Sequence, residues 1–398
     1  MTDRTLATTE ATATTAAATT ARGPLICRPI AFDDIPRQTW DRLLGATAAA
    51  TPFSRWTVHR AWWDAYGSTA HEQYLTCAPA TDAASILGIV PLMHRHEEEP
   101  DDAATATALR RSTRAGTRVR PDAKAVFMGA SYHADYATVL CDPADLPDVA
   151  DALARDLAGS PDPVHGPMPW DVVDLRRLRA EDPARAALAA AFEALAEDAG
   201  WDVFEEVEDV CPVTTMPDGD WDDYLATLDK KARHEIRRKL RRAESAGEVR
   251  FELLEPGAAA VDAFIDLHQA RWGAEGLFPD TEGGRRSRRF MHRLAELEAA
   301  EGEGCQLQLG RVSVGGRVIF ATVGFDDGTT CYFYNAGMDP EARDLSPGVT
   351  GTAAYLRDRQ AAGRRRFDFL RGNEPYKYEW GARDEPIHRI LVTRASGT

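Results

Sequence analysis

The sequence predicts a mixed α/β (α+β) fold. Strand-like segments alternate with amphipathic helices along most of the 398 residues, and the second half repeats the order of elements found in the first. A chain of this length has room for roughly two domains of about 100–200 residues each. We therefore expect two α/β units, at residues 23–210 and 211–398, behind a tail at 1–22.

The tail and the composition exclude several classes of protein. Residues 1–22 are Ala/Thr-rich and lack a basic start followed by an apolar block, which predicts a disordered tail and no secretory signal. No apolar run reaches about 18 residues, so no membrane span is expected. Six scattered cysteines without a C-x-x-C pair indicate buried thiols in a reducing cytoplasm. The net charge of -16 disfavours a generic nucleic-acid binder.

Elements of the first half follow from periodicity and cap residues. His94 and His96 flank one residue of a strand and point to opposite faces, so they do not predict a metal site. Helices are predicted at 51–67, 143–159 and 182–200, and strands at 72–79, 85–95, 125–129, 136–142, 170–178 and 201–208.

The second half begins with one long helix, capped by Asp218 or Asp220 and ending near Ala246. A strand at 249–255, helices at 259–276 and 285–302, a three-stranded meander at 305–339, a helix at 346–363 and strands at 365–372 and 386–392 follow. The strands "VVDLRRL" and "FDFLRG" each carry an acid with an arginine two or three residues later. Internal duplication and chance both account for that echo.

The segment "FDFLRGNEPYKYEW", residues 367–380, brings an acid, two cations and three amphipathic rings together after a strand. Asp368 projects away from the flanking Phe rings and is either paired, for instance with Arg371, or functional. Tyr376 and Tyr378 are either half-buried anchors or proton donors. Lys377 either holds an anionic group or extends its ammonium to solvent.

The segment "DLSPGVTGTAAYL", residues 344–356, predicts a helix start with Ser346 as the N-cap and Pro347 in the first turn. The N–H groups of a first helical turn bind phosphate well, and Gly348 and Gly351 would let a phosphate approach the backbone. An ordinary capped helix is the alternative. No G-K-[ST] follows, so the segment is not a P-loop.

Two helices add candidate binding residues. The stretch 230–242 holds eight Lys/Arg and one Glu, which indicates either a solvated face or an anionic partner such as phosphate, carboxylate or RNA. His268 and Trp272 lie one helical turn apart with Arg271 beside them. His268 is either structural or a base, and no nucleophile triad accompanies it.

These segments resemble a known family. "KKARHEIRRKLRR", "LHQARW", "YNAGMDPEARDLSPG" and "FDFLRGNEPYKYEWG" occur in an order similar to that of the GNAT-type acetyltransferase domain of CelD/BcsL-like proteins, a group related to the FemAB peptidyltransferases. "TPFSRWTVHRAWWDAYG" and "VFMGASYHADYATVL" resemble the N-terminal segments of that group. The resemblance covers about Pro24 to Val392.

The resemblance implies two GNAT-like units in tandem, each a mixed sheet flanked by helices. The pantetheine arm of acyl-CoA would lie between the parted strands "TCYFYNAGMD" and "RRFDFL", with its diphosphate on the next helix start. The implied cofactor-binding residues are Asn335, Ser346, Pro347, Gly348, Val349, Thr350 and Gly351. Leu345 and Thr350 depart from the family's phosphate motif, which has Gln or Arg and then Gly or Ala at these positions.

The implied chemistry is attack of an amine on a thioester. Asp368 or Glu374, directly or through water, would take the amine proton, and Tyr376, or else Tyr378, would protonate the departing thiolate. Backbone N–H groups would polarise the carbonyl. Candidate substrate-binding residues are Arg233, which alone is carried over from an R-x-x-I step of FemAB-like enzymes, together with His268, Trp272, Arg371, Lys377 and Trp380.

The expected protein is a cytoplasmic N-acyltransferase that uses acetyl-CoA or another acyl-CoA as co-substrate and needs no metal. Its acceptor would be an amine of a small molecule or of a cell-envelope or polysaccharide precursor. One alternative is a transferase that uses aminoacyl-tRNA, which the basic helix favours and the net charge disfavours. The other is a non-catalytic binding protein on a GNAT scaffold, which the off-pattern phosphate motif favours.

Overall fold

A computed structural model of the chain describes residues 23–72, 74–95, 125–159, 170 and 172–394. Strands are β1 Leu25–Pro29, β2 His71–Glu72, β3 Leu75–Pro79, β4 Gly88–Val90, β5 Leu92–Arg95, β6 Ala125–Met128, β7 Leu140–Cys141, β8 Val172–Arg179, β9 Trp201–Thr215, β10 Val249–Leu254, β11 Leu307–Val314, β12 Arg317–Asp326, β13 Thr330–Met338, β14 Arg366–Asp368 and β15 Arg383–Arg394. Helices are α1 Arg37–Ala46, α2 Trp56–Tyr66, α3 Leu146–Gly159, α4 Pro183–Ala199, α5 Trp221–Thr227, α6 Lys230–Ala246, α7 Ala258–Trp272, α8 Glu282–Ala300, α9 Pro347–Ala361 and α10 Pro375–Tyr378. The predicted tail at 1–22 and His96 lie outside the described residues.

One large sheet runs through both halves of the chain. Its order is β10-β11-β12-β13-β14-β9-β15-β8-β6-β5-β2, and a second sheet has the order β1-β3-β4-β7. The last strand of each half pairs with a strand of the other half: β9 pairs with β14, and β15 pairs with β8. The mixed α/β class is therefore confirmed, while the boundary predicted at residue 210 falls inside β9 and stays a prediction.

Helices cover both faces of the C-terminal part of the sheet. Alternate strand residues point to opposite faces, so Leu309 and Val323 share a core with α7 and α8, while Val312 and Phe320 share another with α6 and α9. On the first face α7 lies close to β13, because a Cβ at Gly337 would come within 2.4 Å of the His268 backbone nitrogen. This close approach places the C-terminal part of α7 over the end of β13.

Two predicted elements have different bounds. The single helix expected up to Ala246 is two helices, because Asp220 caps α5 and Asp229 accepts hydrogen bonds from the first N–H groups of α6. Strand β9, predicted at 201–208, continues through Pro212 to Thr215. Pro212 lacks an N–H, but its carbonyl accepts a hydrogen bond from Phe369 at 3.0 Å.

The two halves share one arrangement at the centre of the sheet. Strand β14 runs parallel to β13 for three residue pairs, ending with Asp368 opposite Tyr332, and β8 runs parallel to β6 for three pairs, ending with Asp174 opposite Phe127. Such matched placement of the two acids is expected of a duplicated unit. In the first half the space beyond this ladder is closed by a parallel bridge between Ala137 and Leu178.

Candidate active site

A cavity of about 810 Å³ opens where β13 and β14 part. Strand β14 ends at Asp368, whereas β13 continues to Met338. The register between β12 and β13 shifts between Val323 and Phe325, which places a bulge on β13 directly beyond its last pair with β14. No described strand pairs with β13 on the β14 side beyond that point, so its edge is available to a ligand.

The cavity collects most of the predicted site residues. Its wall includes Asn335, Ser346, Pro347, Gly348, Val349, His268, Trp272, Arg371, Glu374, Tyr376, Lys377 and Trp380. Asp368, Thr350, Gly351, Tyr378 and Arg233 are not in this wall.

The first turn of α9 offers a narrower cradle than predicted. Ser346 is the N-cap residue, but its side chain makes no capping hydrogen bond, and its carbonyl accepts from the N–H groups of Val349 and Thr350 at 3.0 and 2.9 Å. Thr350 is buried and donates its hydroxyl hydrogen to the Leu345 carbonyl at 2.7 Å. Because Pro347 has no N–H, the first turn presents chiefly the Gly348 N–H to the cavity.

Gly351 has a packing role rather than the predicted phosphate role. A Cβ at this position would lie 2.3 Å from the Phe320 ring. Only glycine therefore lets α9 approach β12 this closely. The predicted contact of Gly351 with a phosphate is not supported.

Cations flank the first turn of α9 from other elements. The Arg271 guanidinium lies 3.0 Å from Met338 Sδ, and that sulfur would be 3.2 Å from a Cβ at Gly348. Arg343 and Lys239 also line the cavity. These three cations therefore provide positive charge near the helix start, although residue 345 is not the Gln or Arg of the family's phosphate motif.

Arg233 does not reach the cavity. Its guanidinium donates to the Ala226 carbonyl at 3.3 Å, beside the junction between α5 and α6. The same helix instead contributes Lys239, two turns further along. Arg233 is therefore not placed to contact a ligand in the cavity, whereas Lys239 lines it.

Lys377 holds the loop after β14 in place. Its side chain is buried, and Nζ donates to the carbonyls of Leu370, Arg371 and Gly372 at 2.9, 2.9 and 3.0 Å. Glu374 Oε2 lies 2.9 Å from the same ammonium. An ammonium has three hydrogens, so Lys377 has none left for a substrate anion and the predicted role is corrected.

Asp368 and Arg371 do not pair with each other. The Tyr136 hydroxyl donates to Asp368 Oδ2 at 2.7 Å, the Leu370 N–H donates to Oδ1 at 2.8 Å, and Arg371 pairs with Asp135 at 3.1 Å. Asp368 is thus a buried anchor between the two halves and not the expected base in the cavity. Asp135 and Tyr136, the partners of Arg371 and Asp368, both lie in the segment "YHADY" of the first half.

Burial raises the pKa of Asp368 to about 6, above the ordinary value of 3.8. Between these values the folded protein keeps a proton that the unfolded chain has lost, so the free energy of unfolding falls as the pH rises through this window. Asp368→Asn has no carboxyl group to titrate at this position. We therefore expect its free energy of unfolding, relative to that of wild type, to rise by roughly 1–3 kcal/mol from about pH 4 to pH 7. Urea unfolding at both pH values measures the difference, and an equal difference at both would contradict the prediction.

The tyrosines of the loop occupy different places. Tyr376 is 44% exposed, lines the cavity and packs edge-on against Phe369 with ring centroids 6.2 Å apart. Tyr378 donates its hydroxyl hydrogen to Asp384 at 2.7 Å outside the cavity wall. Tyr378 is therefore removed from the catalytic candidates, and Tyr376 stays among them.

The remaining wall residues are mainly apolar or neutral. His268 is buried against Phe278, and burial lowers its pKa to about 4, so its imidazole is neutral at pH 7. Trp272 is partly exposed, with Arg271 stacked on its ring at 4.9 Å. Trp380 is buried and forms part of the cavity floor.

The first half of the chain contributes a wall of the cavity that was not predicted. Tyr132, His133 and Asp135 line the cavity although they lie in the unit before β9. His133 Nδ1 is 2.9 Å from the hydroxyl of Tyr334, another residue that was not predicted. The cavity is therefore built by both halves.

Residues 230–378 match the model of the acetyltransferase (GNAT) domain family. This part of the chain is a GNAT domain. The cavity, the parted strands and α9 all belong to it or border it. None of the curated proteins compared with the chain matches it.

Solved structures extend the likeness to nearly the whole chain. FemX is 10% identical with a TM-score of 0.56, over 89% of this chain and 96% of FemX. A conserved protein of unknown function from Bacteroides thetaiotaomicron VPI-5482 is 14% identical with a TM-score of 0.52, over 90% of this chain and 98% of that one. A tandem GNAT protein from the clavulanic acid biosynthesis pathway is 13% identical with a TM-score of 0.45, over 94% and 99%. The GNAT assignment of residues 230–378 is confirmed, and the likeness to FemX is one of fold.

Three further predictions concern the cysteines, metal ligands and membrane-spanning helices. Five of the six cysteines are buried, and none forms a disulfide. Within the described ranges, no group of three or more His, Cys, Asp or Glu side chains is arranged to hold a metal ion. None of the described helices combines the length and the apolar character needed to cross a membrane.

Proposed function

We propose that the protein is an N-acyltransferase that moves an acyl group, by default acetyl, from acyl-CoA to an amine. The observation that carries this proposal is the parting of β13 and β14 over a cavity that the first turn of α9 borders. The acceptor would be a small molecule or a cell-envelope or polysaccharide precursor. A cavity of about 810 Å³ lies within the usual range for ligand sites.

The donor would occupy the open edge of β13. Its pantetheine amides would bond to the backbone near Asn335, and its diphosphate would lie against the Gly348 N–H beside Ser346 and Val349. Arg271 and Arg343, which make no ion pair with described residues, would balance the phosphate charge. This seat uses the helix terminus in the way that suits an anion.

Positioning supplies much of the rate of such a reaction. Glu374 is the candidate base, acting directly or through one water, because it lines the cavity while Asp368 does not. Tyr376 is a candidate acid. His268, Trp272 and Trp380 would shape the acceptor side, and Arg371 would do so while paired with Asp135.

Calorimetry with acetyl-CoA tests the donor assignment. We expect one donor per chain, because the equivalent gap of the first half is closed by the Ala137–Leu178 bridge. Acetyl-CoA at 100 times its Kd should stabilise the fold by about 2.7 kcal/mol, which a rise in Tm reports. The absence of both binding heat and a Tm shift with a panel of acyl-CoAs would contradict the proposal.

An aminoacyl-tRNA donor is the second candidate, and one observation favours it. Lys230, Lys231, Arg241 and Arg242 on α6 are exposed and make no ion pair with the described residues. Salt-dependent binding of aminoacyl-tRNA without a response to acyl-CoA would support this candidate. A Tm that neither ligand changes would favour a non-catalytic protein on the GNAT scaffold.

A further inference from the structure

A chain of buried hydrogen bonds ends at the cavity on Tyr334. This tyrosine lies on β13 two residues beyond the last pair with β14. Its hydroxyl is 2.9 Å from His133 Nδ1, His133 Nε2 is 2.8 Å from the Tyr66 hydroxyl, and that hydroxyl is 2.9 Å from Ser287 Oγ. The chain thus starts in the GNAT domain at α8, passes through the first half and returns to β13.

The distances fit hydrogen bonds in either direction along this chain, and we assign the direction in which Ser287 is the first donor. In this direction Ser287, which is 1% exposed, donates its hydroxyl hydrogen to the Tyr66 oxygen. The Tyr66 hydrogen then goes to His133 Nε2. Burial lowers the pKa of His133 to about 3, so the ring is neutral with one N–H. That N–H is on Nδ1 and donates to the Tyr334 oxygen.

The hydroxyl hydrogen of Tyr334 is therefore left for the cavity. Three successive donors point toward its oxygen, and such chains polarise one another in a low dielectric. A phenolate formed at Tyr334 would keep the His133 N–H as a hydrogen-bond donor. The His133 ring is itself fixed by stacking on Phe290, with centroids 4.0 Å apart and planes 13° apart.

We propose that Tyr334 gives its proton to the sulfur of the departing CoA and that His133, from the other half of the chain, is the positioning residue for this step. The inference rests on the proposed acyl transfer. The amine nitrogen forms a bond to the acyl carbon, the carbon–sulfur bond breaks, and the amine proton passes to Glu374. The Tyr334 proton passes to the sulfur, and Tyr334 regains a proton from Glu374 through water.

Tyr376, predicted for the same step, is less well arranged for it. Its hydroxyl has no hydrogen-bond partner among the described residues, and its ring is 44% exposed. Nothing therefore fixes the direction of its hydrogen. The Tyr334 hydroxyl, by contrast, has a hydrogen-bond partner in His133 Nδ1 at 2.9 Å.

The test uses hydroxylamine as the acceptor and acetyl-CoA as the donor, with hydroxamate formation as the readout. Hydroxylamine is largely neutral at pH 7, so its attack needs little base and the rate depends on departure of the thiolate. We expect Tyr334→Phe to lower kcat about 100-fold, with the Kd for acetyl-CoA changed less than about twofold. Tyr332→Phe is the matched control, because the Tyr332 hydroxyl donates to Asp327 at 2.9 Å outside the cavity wall.

A pair of His133 variants separates positioning from packing. The amide of His133→Asn replaces Nδ1 and can still donate to Tyr334, whereas the amide of His133→Gln lies nearer to the Nε2 position. We expect kcat of the Asn variant to stay within about fivefold of wild type and that of the Gln variant to fall at least about tenfold. The Tm and the acetyl-CoA Kd of each variant check that the fold and the donor seat are intact.

The possible results have distinct meanings. A wild-type protein that does not bind acetyl-CoA would overturn the proposed function. Acetyl-CoA binding without hydroxamate formation by the wild type would count against the proposed function. Hydroxamate formation by the wild type, with Tyr334→Phe turnover within threefold of it, would overturn the role of Tyr334 alone. Equal turnover in the two His133 variants would overturn the positioning role.

Discussion

Lys377→Met is expected to lower the free energy of unfolding by about 3–5 kcal/mol. The substitution keeps the length and apolar stem of the side chain but removes the ammonium that four oxygen atoms contact. The carbonyls of Leu370 and Gly372 would lose their bond to this group, and Glu374 would lose its cation. Unpaired polar groups in a buried site carry their full desolvation cost.

Urea unfolding followed by circular dichroism measures this loss. Lys231→Met is the matched control, because Lys231 is exposed on α6 and its change should stay within about 0.5 kcal/mol. Adding Glu374→Gln to Lys377→Met should recover part of the loss, since the unpaired carboxylate disappears. A loss below about 1 kcal/mol in the single variant would show that the loop does not depend on the Lys377 ammonium.

Gly348→Asp is expected to abolish acetyl-CoA binding, with a loss in affinity of at least about 100-fold. The new carboxylate would stand at the first turn of α9, where the diphosphate is proposed to lie, and like charges repel strongly in a partly closed cavity. The helix itself should tolerate the change, because acids are favourable near a helix N-terminus. Loss of binding with an unchanged Tm would therefore locate the effect at the ligand.

Two control variants accompany this experiment, in which calorimetry measures the affinity for acetyl-CoA. Gly348→Ala adds only a Cβ, 3.1 Å from the flexible end of Met338, and should weaken binding little. Gly257→Asp places the same charge at the N-cap of α7, where nothing lies within 4 Å of an added Cβ. We expect its affinity for acetyl-CoA to equal that of wild type. Unaltered affinity in Gly348→Asp would place the donor phosphates elsewhere.

The sequence predicted those parts of the fold whose signals are local. Helix α4 begins after Asp182, which accepts from the Ala184 N–H, and ends at Gly200 in the left-handed region, as its cap residues indicate. The meander of β11 to β13 likewise follows from strand alternation and Gly turns. The resemblance to the GNAT family indicated the region of the cavity, between β13 and β14 beside the helix start at Pro347 and Gly348.

The roles of individual side chains depended on distant partners. Asp368 meets Tyr136, 232 residues away, and no local pattern in "FDFLRG" distinguishes that anchor from a catalytic acid. Lys377 was expected to hold an anion. Its three carbonyl partners come together only through the fold of the loop, with Leu370 at φ +56°, so no sequence pattern indicated them. Tyr334 and His133 were missed for the same reason, since their chain of hydrogen bonds crosses between halves.

The exchange of β9 and β15 has a consequence for synthesis on the ribosome. Strand β15 lies between β8 and β9, so these two strands have an unfilled position between them until residues 383–394 emerge. Exposed strand edges of this kind pair readily with other chains. A ribosome-bound fragment ending before β15 should therefore expose these two edges and aggregate more readily than a chain that includes β15.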